Sequence, residues 1–219
     1  MTQRARPVVG GSLGILGGTF DPVHIGHLAV AEEAREAIGL ERVLFVPARI
    51  PPHKQGRPIS AAADRVAMVE LAVAHEPAFE VSALELERAG PSYTVDTLET
   101  LCEAAMSAGR EPDLWLILST EAFRDLHTWH DPQRILRLAR LAVAPRDGYA
   151  DANRALMASQ FPGFEDRAVF LEAPRLRISA TELRERAALG RSLRYLVPDA
   201  VAAYIGDHGL YTDPSWRID

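Results

Sequence analysis

Cysteine is almost missing from the chain: Cys102 is the single one among 219 residues. No internal disulfide can form, and such cysteine usage fits a reducing, cytoplasmic setting. No apolar run approaches the roughly 20 residues that a membrane-spanning helix needs. Positive charge is not in excess either, with 24 Lys+Arg against 30 Asp+Glu and a net charge of −6. That balance speaks against bulk electrostatic binding of nucleic acid or of an anionic membrane and leaves room only for a local basic pocket. The start, Arg4 and Arg6 before Val8 and Val9, loosely imitates a signal peptide, but Gly10, Gly11, Gly14, Gly17 and Gly18 break its apolar region. Residues 1–12 are therefore expected to be a disordered tail, residues 13–211 one domain, and residues 212–219 a second tail. No internal repeat, low-complexity tract or linker divides the chain. Two familiar phosphate signatures are absent. The P-loop pattern does not occur, and Gly11, Gly14 and Gly17 lie three apart, before or inside the first strand, where a dinucleotide fingerprint would need another spacing.

What is present is an alternation of strand and helix signals in a chain 47% apolar and 25% charged, long enough for a substantial core. Short apolar runs at 13–16, 43–46, 79–81, 114–118, 141–144 and 168–171 read as strands. Leu84 and Leu86 continue an alternation after the third. Helical patterns cover 28–38 (ended by Gly39), 60–75 (with Ser60 as N-cap), 95–108, a short stretch near Glu121, a segment opened by Asp131-Pro132, 181–189 behind Ser179, and 199–208 after Pro198. Residues from about 179 onward form a helical C-terminal part. The expectation is an α/β, Rossmann-like, doubly wound parallel sheet with helices on both faces, whose ligand site lies beyond the strands' carboxyl ends. Cys102 shares a helical face with Leu98, Leu101 and Ala105, which predicts an inert core thiol.

One stretch organises the chemistry: Gly17-Gly18-Thr19-Phe20-Asp21-Pro22-Val23-His24-Ile25-Gly26-His27. An apolar strand runs into paired glycines, a proline-containing bend and two histidines three apart, and then a helix begins. Backbone N–H groups and the helix dipole converge at such a junction and favour phosphate. His24 and His27 would share one side of the first turn and supply N–H donors, with Gly26 leaving room between them. Two plainer readings stand beside this one. The pair can be ordinary satisfied surface histidines, or can bind a metal, although no third ligand lies at a fitting spacing.

GGTFDPVHIGH resembles the first signature of the nucleotidylyltransferase superfamily, and Ile178-Ser179-Ala180-Thr181-Glu182-Leu183-Arg184 resembles its second. Between and after them, Pro51-Pro52-His53-Lys54, Ser92-Tyr93-Thr94, Trp129, Tyr195-Leu196-Val197-Pro198 and Gly209-Leu210-Tyr211 are similar to one branch, the bacterial nicotinate-nucleotide adenylyltransferases. The likeness spans residues 13 to 211. It implies transfer of the adenylyl group of ATP to nicotinate mononucleotide, giving nicotinate adenine dinucleotide and pyrophosphate in NAD biosynthesis, with no covalent enzyme intermediate. The attacking phosphate is already ionised near neutral pH, so alignment and charge neutralisation would carry the rate.

By that resemblance, His24, His27 and Arg184 would act on the ATP phosphates. Gly18, Thr19, Phe20, Gly26, Ile178, Ser179, Thr181 and Glu121 would line the nucleotide. Lys54, Tyr93, Thr94, Trp129 and Arg146 would hold nicotinate mononucleotide. Mg²⁺ would ride mainly on the ATP phosphates, with no protein metal site. The partners implied are small molecules, without nucleic acid or membrane, and a homo-oligomer is compatible with the sequence. Each residue also has a plainer role: Ser179 as an N-cap, Arg184 as a solvated helix charge beside Glu182, Glu185 and Arg186, Lys54 as a surface lysine, and Trp129 as a half-buried anchor beside His127 and His130. The chain departs from the family twice. Ser119-Thr120-Glu121 stands for Gly-any-Asp, and Pro145-Arg146-Asp147-Gly148 stands for Arg-Pro-Gly, displacing the arginine by one residue. Rival readings are the same transfer to nicotinamide mononucleotide or phosphopantetheine, and a non-catalytic nucleotide sensor.

Overall fold

Six apolar runs become the strands β1 (Ser12–Gly18), β2 (Arg42–Pro47), β3 (Phe79–Val81), β4 (Asp113–Ser119), β5 (Arg140–Ala144) and β6 (Ala168–Phe170). The structure, a computed structural model, describes residues 11–49, 58–88, 90–213 and 216. The strands form one sheet in the order β3-β2-β1-β4-β5-β6, and every pair is parallel. A parallel sheet is covered on both faces, so its strands can be apolar throughout. Val43, Leu44, Phe45 and Val46 are all fully buried. The two-residue alternation then sorts side chains. On β4, Leu114, Leu116 and Leu118 face one core cluster, whereas Trp115 and Ile117 face the other.

Nine α-helices are described: α1 (Ile25–Ile38), α2 (Ala62–Val73), α3 (Leu84–Glu87), α4 (Thr94–Ser107), α5 (Thr120–Asp125), α6 (Pro132–Leu138), α7 (Arg154–Gln160), α8 (Ala180–Ala188) and α9 (Asp199–Asp207). α4 and α6 cover the face that holds Leu98, Leu101, Ile135 and Leu136. α1, α2 and α9 cover the other, with Ala31, Ala34, Met68, Val69, Val201 and Ile205. Cys102 is a free, buried thiol in the first cluster, and burial raises its pKa. Among the described residues no helix is long and apolar enough to cross a membrane.

Gly39 ends α1 at φ 76°, donating its N–H to the Arg35 carbonyl, and Asp131 caps α6 through Oδ1 with Pro132 in the first turn. Other expectations are corrected. Ser60 does not cap α2, whose N-cap is Ala61; the Ser60 N–H instead bonds the Asp21 carboxylate at 3.2 Å. Leu84 and Leu86 do not extend β3, because the chain turns into α3 there. The sequence reading missed α7, a seven-residue helix too short to show a period, although Asn153 caps it by accepting the Leu156 N–H. Ser12, expected in the leading tail, is the first residue of β1 and pairs with Asp113. Trp216, expected in the trailing tail, stands edge-on to Tyr211 with ring centroids 5.2 Å apart.

Arg65, 1% exposed on α2, ties the loops that leave β1 and β2. Its Nη1 donates to the carbonyls of Thr19 and Ala48, both at 2.8 Å, and its Nε donates to that of Ser60 at 3.2 Å. Arg65→Met keeps the bulk and strands these acceptors, each costing about 1–3 kcal/mol when buried without a donor. Denaturant unfolding is expected to show a loss of roughly 2–5 kcal/mol; a change inside experimental error would contradict the role.

Candidate active site

The chain leaves β1 toward β2 on one side and β4 toward β5 on the other, so a crevice opens between the carboxyl ends of β1 and β4. Two adjoining cavities of about 720 and 370 Å³ fill it and share Gly17, Leu118 and Trp129 as walls. The larger lobe is lined by His24, Gly26, His27, Ser119, Arg146, Arg177, Ile178 and Ser179 among others. Thr19, Glu85, Ser92, Tyr93, Thr94 and His130 are among those lining the smaller.

The two histidines are stacked, with ring centroids 3.7 Å apart and planes 23° from parallel. The His24 backbone N–H donates to His27 Nδ1 at 3.2 Å. A nitrogen that accepts carries no proton, so the His27 proton lies on Nε2 in the neutral ring. The Phe20 ring meets His27 edge-on at 5.0 Å and steadies it from below. His24 Nδ1 is buried and has no partner among the described residues. Burial first, and the Arg146 charge second, hold the His24 pKa down to about 4. His24 is therefore neutral at physiological pH, a donor of hydrogen bonds rather than a cation. A Cβ on Gly26 would stand 3.1 Å from His24 Nδ1, so the missing side chain makes room for the imidazole itself.

Behind this pair stands Asp21, 2% exposed. Its Oδ1 accepts the Tyr211 hydroxyl at 2.7 Å, its Oδ2 the Ser60 N–H at 3.2 Å, and its carbonyl accepts Arg184 Nη1 at 2.7 Å. Burial and the Asp21 charge push the Tyr211 pKa up, so its hydroxyl keeps its proton and donates. Arg184 is buried and does not line either lobe. Its Nη2 reaches Thr181 Oγ1 at 3.2 Å, and its guanidinium lies 5.1 Å above the Trp216 ring. The second motif thus braces the first through Arg184 and Thr181, and presents Ile178, Ser179 and Glu182 to the cleft. Ser179 is the N-cap of α8 by backbone, yet its side chain makes no capping bond. The first N–H groups of α8 therefore lack a side-chain cap from Ser179, which itself lines the lobe.

The expected residues divide between the lobes. His24, His27, Gly26, Ile178, Ser179 and Arg146 meet in the larger one, so Arg146, expected with the acceptor, stands on the histidine side. Gly18 and Thr19, expected on the nucleotide, line the smaller lobe with Tyr93 and Thr94, while Trp129 serves both. Phe20 and Thr181 act behind the surface. Glu121 lines neither lobe: its Oε2 pairs with Arg146 Nε at 3.0 Å and its Oε1 accepts the Tyr149 hydroxyl at 2.9 Å. Lys54 lies outside the described residues. The sequence reading missed Arg177, although it stands one residue before the second motif, and also Glu85, His130 and the role of Asp21 as a junction.

Residues 15–186 match the family model described as cytidylyltransferase-like. The chain is 50% identical over 199 residues to a protein of Roseiflexus sp. (strain RS-1), covering 91% of this chain and 97% of that one. It is 45% identical over 201 residues to one of Herpetosiphon aurantiacus, covering 91% and 98%. Both carry the name "probable nicotinate-nucleotide adenylyltransferase". Among solved structures, the Plasmodium falciparum nicotinic acid mononucleotide adenylyltransferase complexed with NaAD superposes with a TM-score of 0.74 at 16% identity, over 93% of this chain and 98% of that chain, a likeness of fold. The chain belongs to the cytidylyltransferase-like class and, within it, to the nicotinate-nucleotide adenylyltransferase family.

The buried His24 ring has a consequence for stability. An unfolded chain protonates this histidine near pH 6.5, the folded one near pH 4. Between those values the unfolded state binds the extra proton, so stability falls as pH drops through that window, by at most about 3 kcal/mol. Urea unfolding across the window is expected to show a shallower fall for His24→Asn; identical slopes would contradict the assignment.

Proposed function

We propose that this chain transfers the adenylyl group of ATP to nicotinate mononucleotide, releasing pyrophosphate, as a step of NAD synthesis in the cytoplasm. The observation that carries the reading is the two-lobed crevice: a stacked histidine pair shares one lobe with the uncapped start of α8, and the uncapped start of α4 opens the other. The relatives' name, nicotinate-nucleotide adenylyltransferase, supports the same acceptor and the same transferred group.

In this reading a phosphate oxygen of the acceptor attacks the α-phosphorus, and the bond from that phosphorus to the departing pyrophosphate breaks. No side chain needs to remove a proton. His27 Nε2–H, with its Nδ1 engaged by the His24 backbone, donates to the reacting phosphates. His24, neutral by burial, adds a second donor without the rearrangement a buried cation would demand. Arg146 and Arg177 bring positive charge to the same lobe. The N–H groups at the start of α8 receive phosphate oxygens beside Ser179. Arg184 acts as a positioning residue through the Asp21 carbonyl. Tyr93, Trp129 and His130 offer rings for the pyridine, Thr94 begins α4 beside them, and Lys54 is assigned to the acceptor phosphate by family likeness.

Among the described residues no three His, Cys, Asp or Glu side chains converge as a metal site. In this reading Mg²⁺ would be held mainly by ATP oxygens, with Asp147 and Glu182 the carboxylates along the lobe. The ion would supply charge neutralisation on the triphosphate.

Purified protein with ATP and Mg²⁺ is expected to release pyrophosphate when nicotinate mononucleotide is added. No pyrophosphate with any mononucleotide, despite measurable ATP binding, would overturn the enzyme reading in favour of a nucleotide sensor. His27→Ala is expected to lower kcat by at least about a hundredfold, the scale of losing one preorganised donor, and an unchanged kcat would remove His27 from the chemistry.

A further inference from the structure

Glu85 is the one carboxylate among the described residues that line the smaller lobe. It is 7% exposed, and α3, the turn of helix that interrupts the expected strand, points it inward. Its Oε1 accepts the Thr97 hydroxyl at 2.9 Å, from the first turns of α4, and the Ser92 side chain bonds the same carboxyl. Ser92 Oγ in turn accepts the Arg49 N–H at 3.0 Å. Glu85 therefore sits inside the turn that carries Tyr93 and Thr94, at the helix start where an acceptor's ring substituent would lodge.

The charges around it do not cancel its own. Arg88, at the end of α3, bonds Thr97 Oγ1 at 3.4 Å and stands 3.7 Å from Asp96, which takes part of its charge. From α4, Asp96 adds negative charge; from the segment before α6 comes His130; β1, β2 and β4 contribute Ile15, Val46, Leu116 and Leu118, with no charge. Burial is the main cause that raises the proton affinity of Glu85, with Asp96 adding to it, and the Ser92 and Thr97 hydroxyls and Arg88 opposing it.

This inference rests on the acceptor reading above. A nicotinate ring brings a carboxylate into a cavity of about 370 Å³ that already holds one. Two carboxylates that share so small a space are not both ionised at acceptable cost, and one binds a proton. We propose that Glu85 is the specificity-determining residue of the acceptor lobe: as an acceptor with a ring carboxylate enters, Glu85 takes one proton from solvent and shares it with that carboxylate, and the proton returns to solvent when product leaves. An acceptor with a ring amide needs no such proton.

The test is the ratio of kcat/KM for nicotinate mononucleotide to that for nicotinamide mononucleotide, measured from pH 5.5 to 9. Titration of the acceptor phosphate and of the histidines affects both substrates and cancels in the ratio. In the unaltered protein the ratio is expected to fall toward about tenfold per pH unit once Glu85 is ionised in the free enzyme. In Glu85→Gln, a neutral isostere, it is expected to be flat, and in Glu85→Asp the fall should return. A flat ratio in the unaltered protein, or the same fall in Glu85→Gln, overturns the proposal. Should Glu85→Gln not fold, calorimetry of the unaltered protein in buffers of different ionisation enthalpy decides. About one more proton is expected to be taken up per acid acceptor than per amide acceptor at alkaline pH, and no difference overturns the proposal. Absence of pyrophosphate with both acceptors would instead defeat the acceptor reading itself.

Discussion

The geometry of the cleft depends on the buried carboxylate and carbonyl of Asp21. Three segments far apart in the chain end on this residue: Tyr211 after the last helix, Ser60 before α2, and Arg184 from α8. A buried carboxylate is tolerated only when its lone pairs are engaged, and these bonds engage them with a hydroxyl and a backbone N–H. The arrangement fixes the bend between β1 and α1, so the His24–His27 stack has a rigid floor. Arg65 performs the same service one step away, closing the carbonyls of the loops that follow β1 and β2.

This division of labour explains why positive charge near the larger lobe comes from unlike sources. Arg184 spends its guanidinium on the Asp21 carbonyl and Thr181 and works by placing the helix start. Arg146 and Arg177 line the lobe directly. The two segments Ser119-Thr120-Glu121 and Pro145-Arg146-Asp147-Gly148 also meet in the structure. Glu121, one carbon longer than Asp, reaches the displaced Arg146, and Tyr149 holds the other carboxylate oxygen. The pair is about 40–46% exposed, so it orients Arg146 more than it stabilises the fold.

Much of the fold was legible because both-face burial leaves an unmistakable apolar run, as at Val43–Val46, and because Gly39 and Pro132 obey local helix-end chemistry. The strand–glycine–histidine junction was legible because its geometry is a property of backbone and local spacing. Side-chain direction on a polar helix was not. Arg184 sits among Glu182, Glu185 and Arg186 and has the local signature of a solvated charge; the carbonyl that turns it inward lies 163 positions earlier in the chain. Likewise nothing near Glu85 announces that a turn of helix, rather than more strand, aims it into a cavity. Gly26 lines the larger lobe, yet the space it provides serves the His24 ring.

On the proposed mechanism the triphosphate lies between the stacked histidines and the start of α8, with Arg184 held behind it. A crystal structure with a nonhydrolysable ATP analogue and Mg²⁺ tests this most directly. Phosphate oxygens are expected within hydrogen-bond distance of His27 Nε2 and of the backbone N–H groups beside Ser179, with Arg184 still bonded to the Asp21 carbonyl. A triphosphate bound away from both, or an Arg184 that leaves Asp21 to grip it, would rule this placement out.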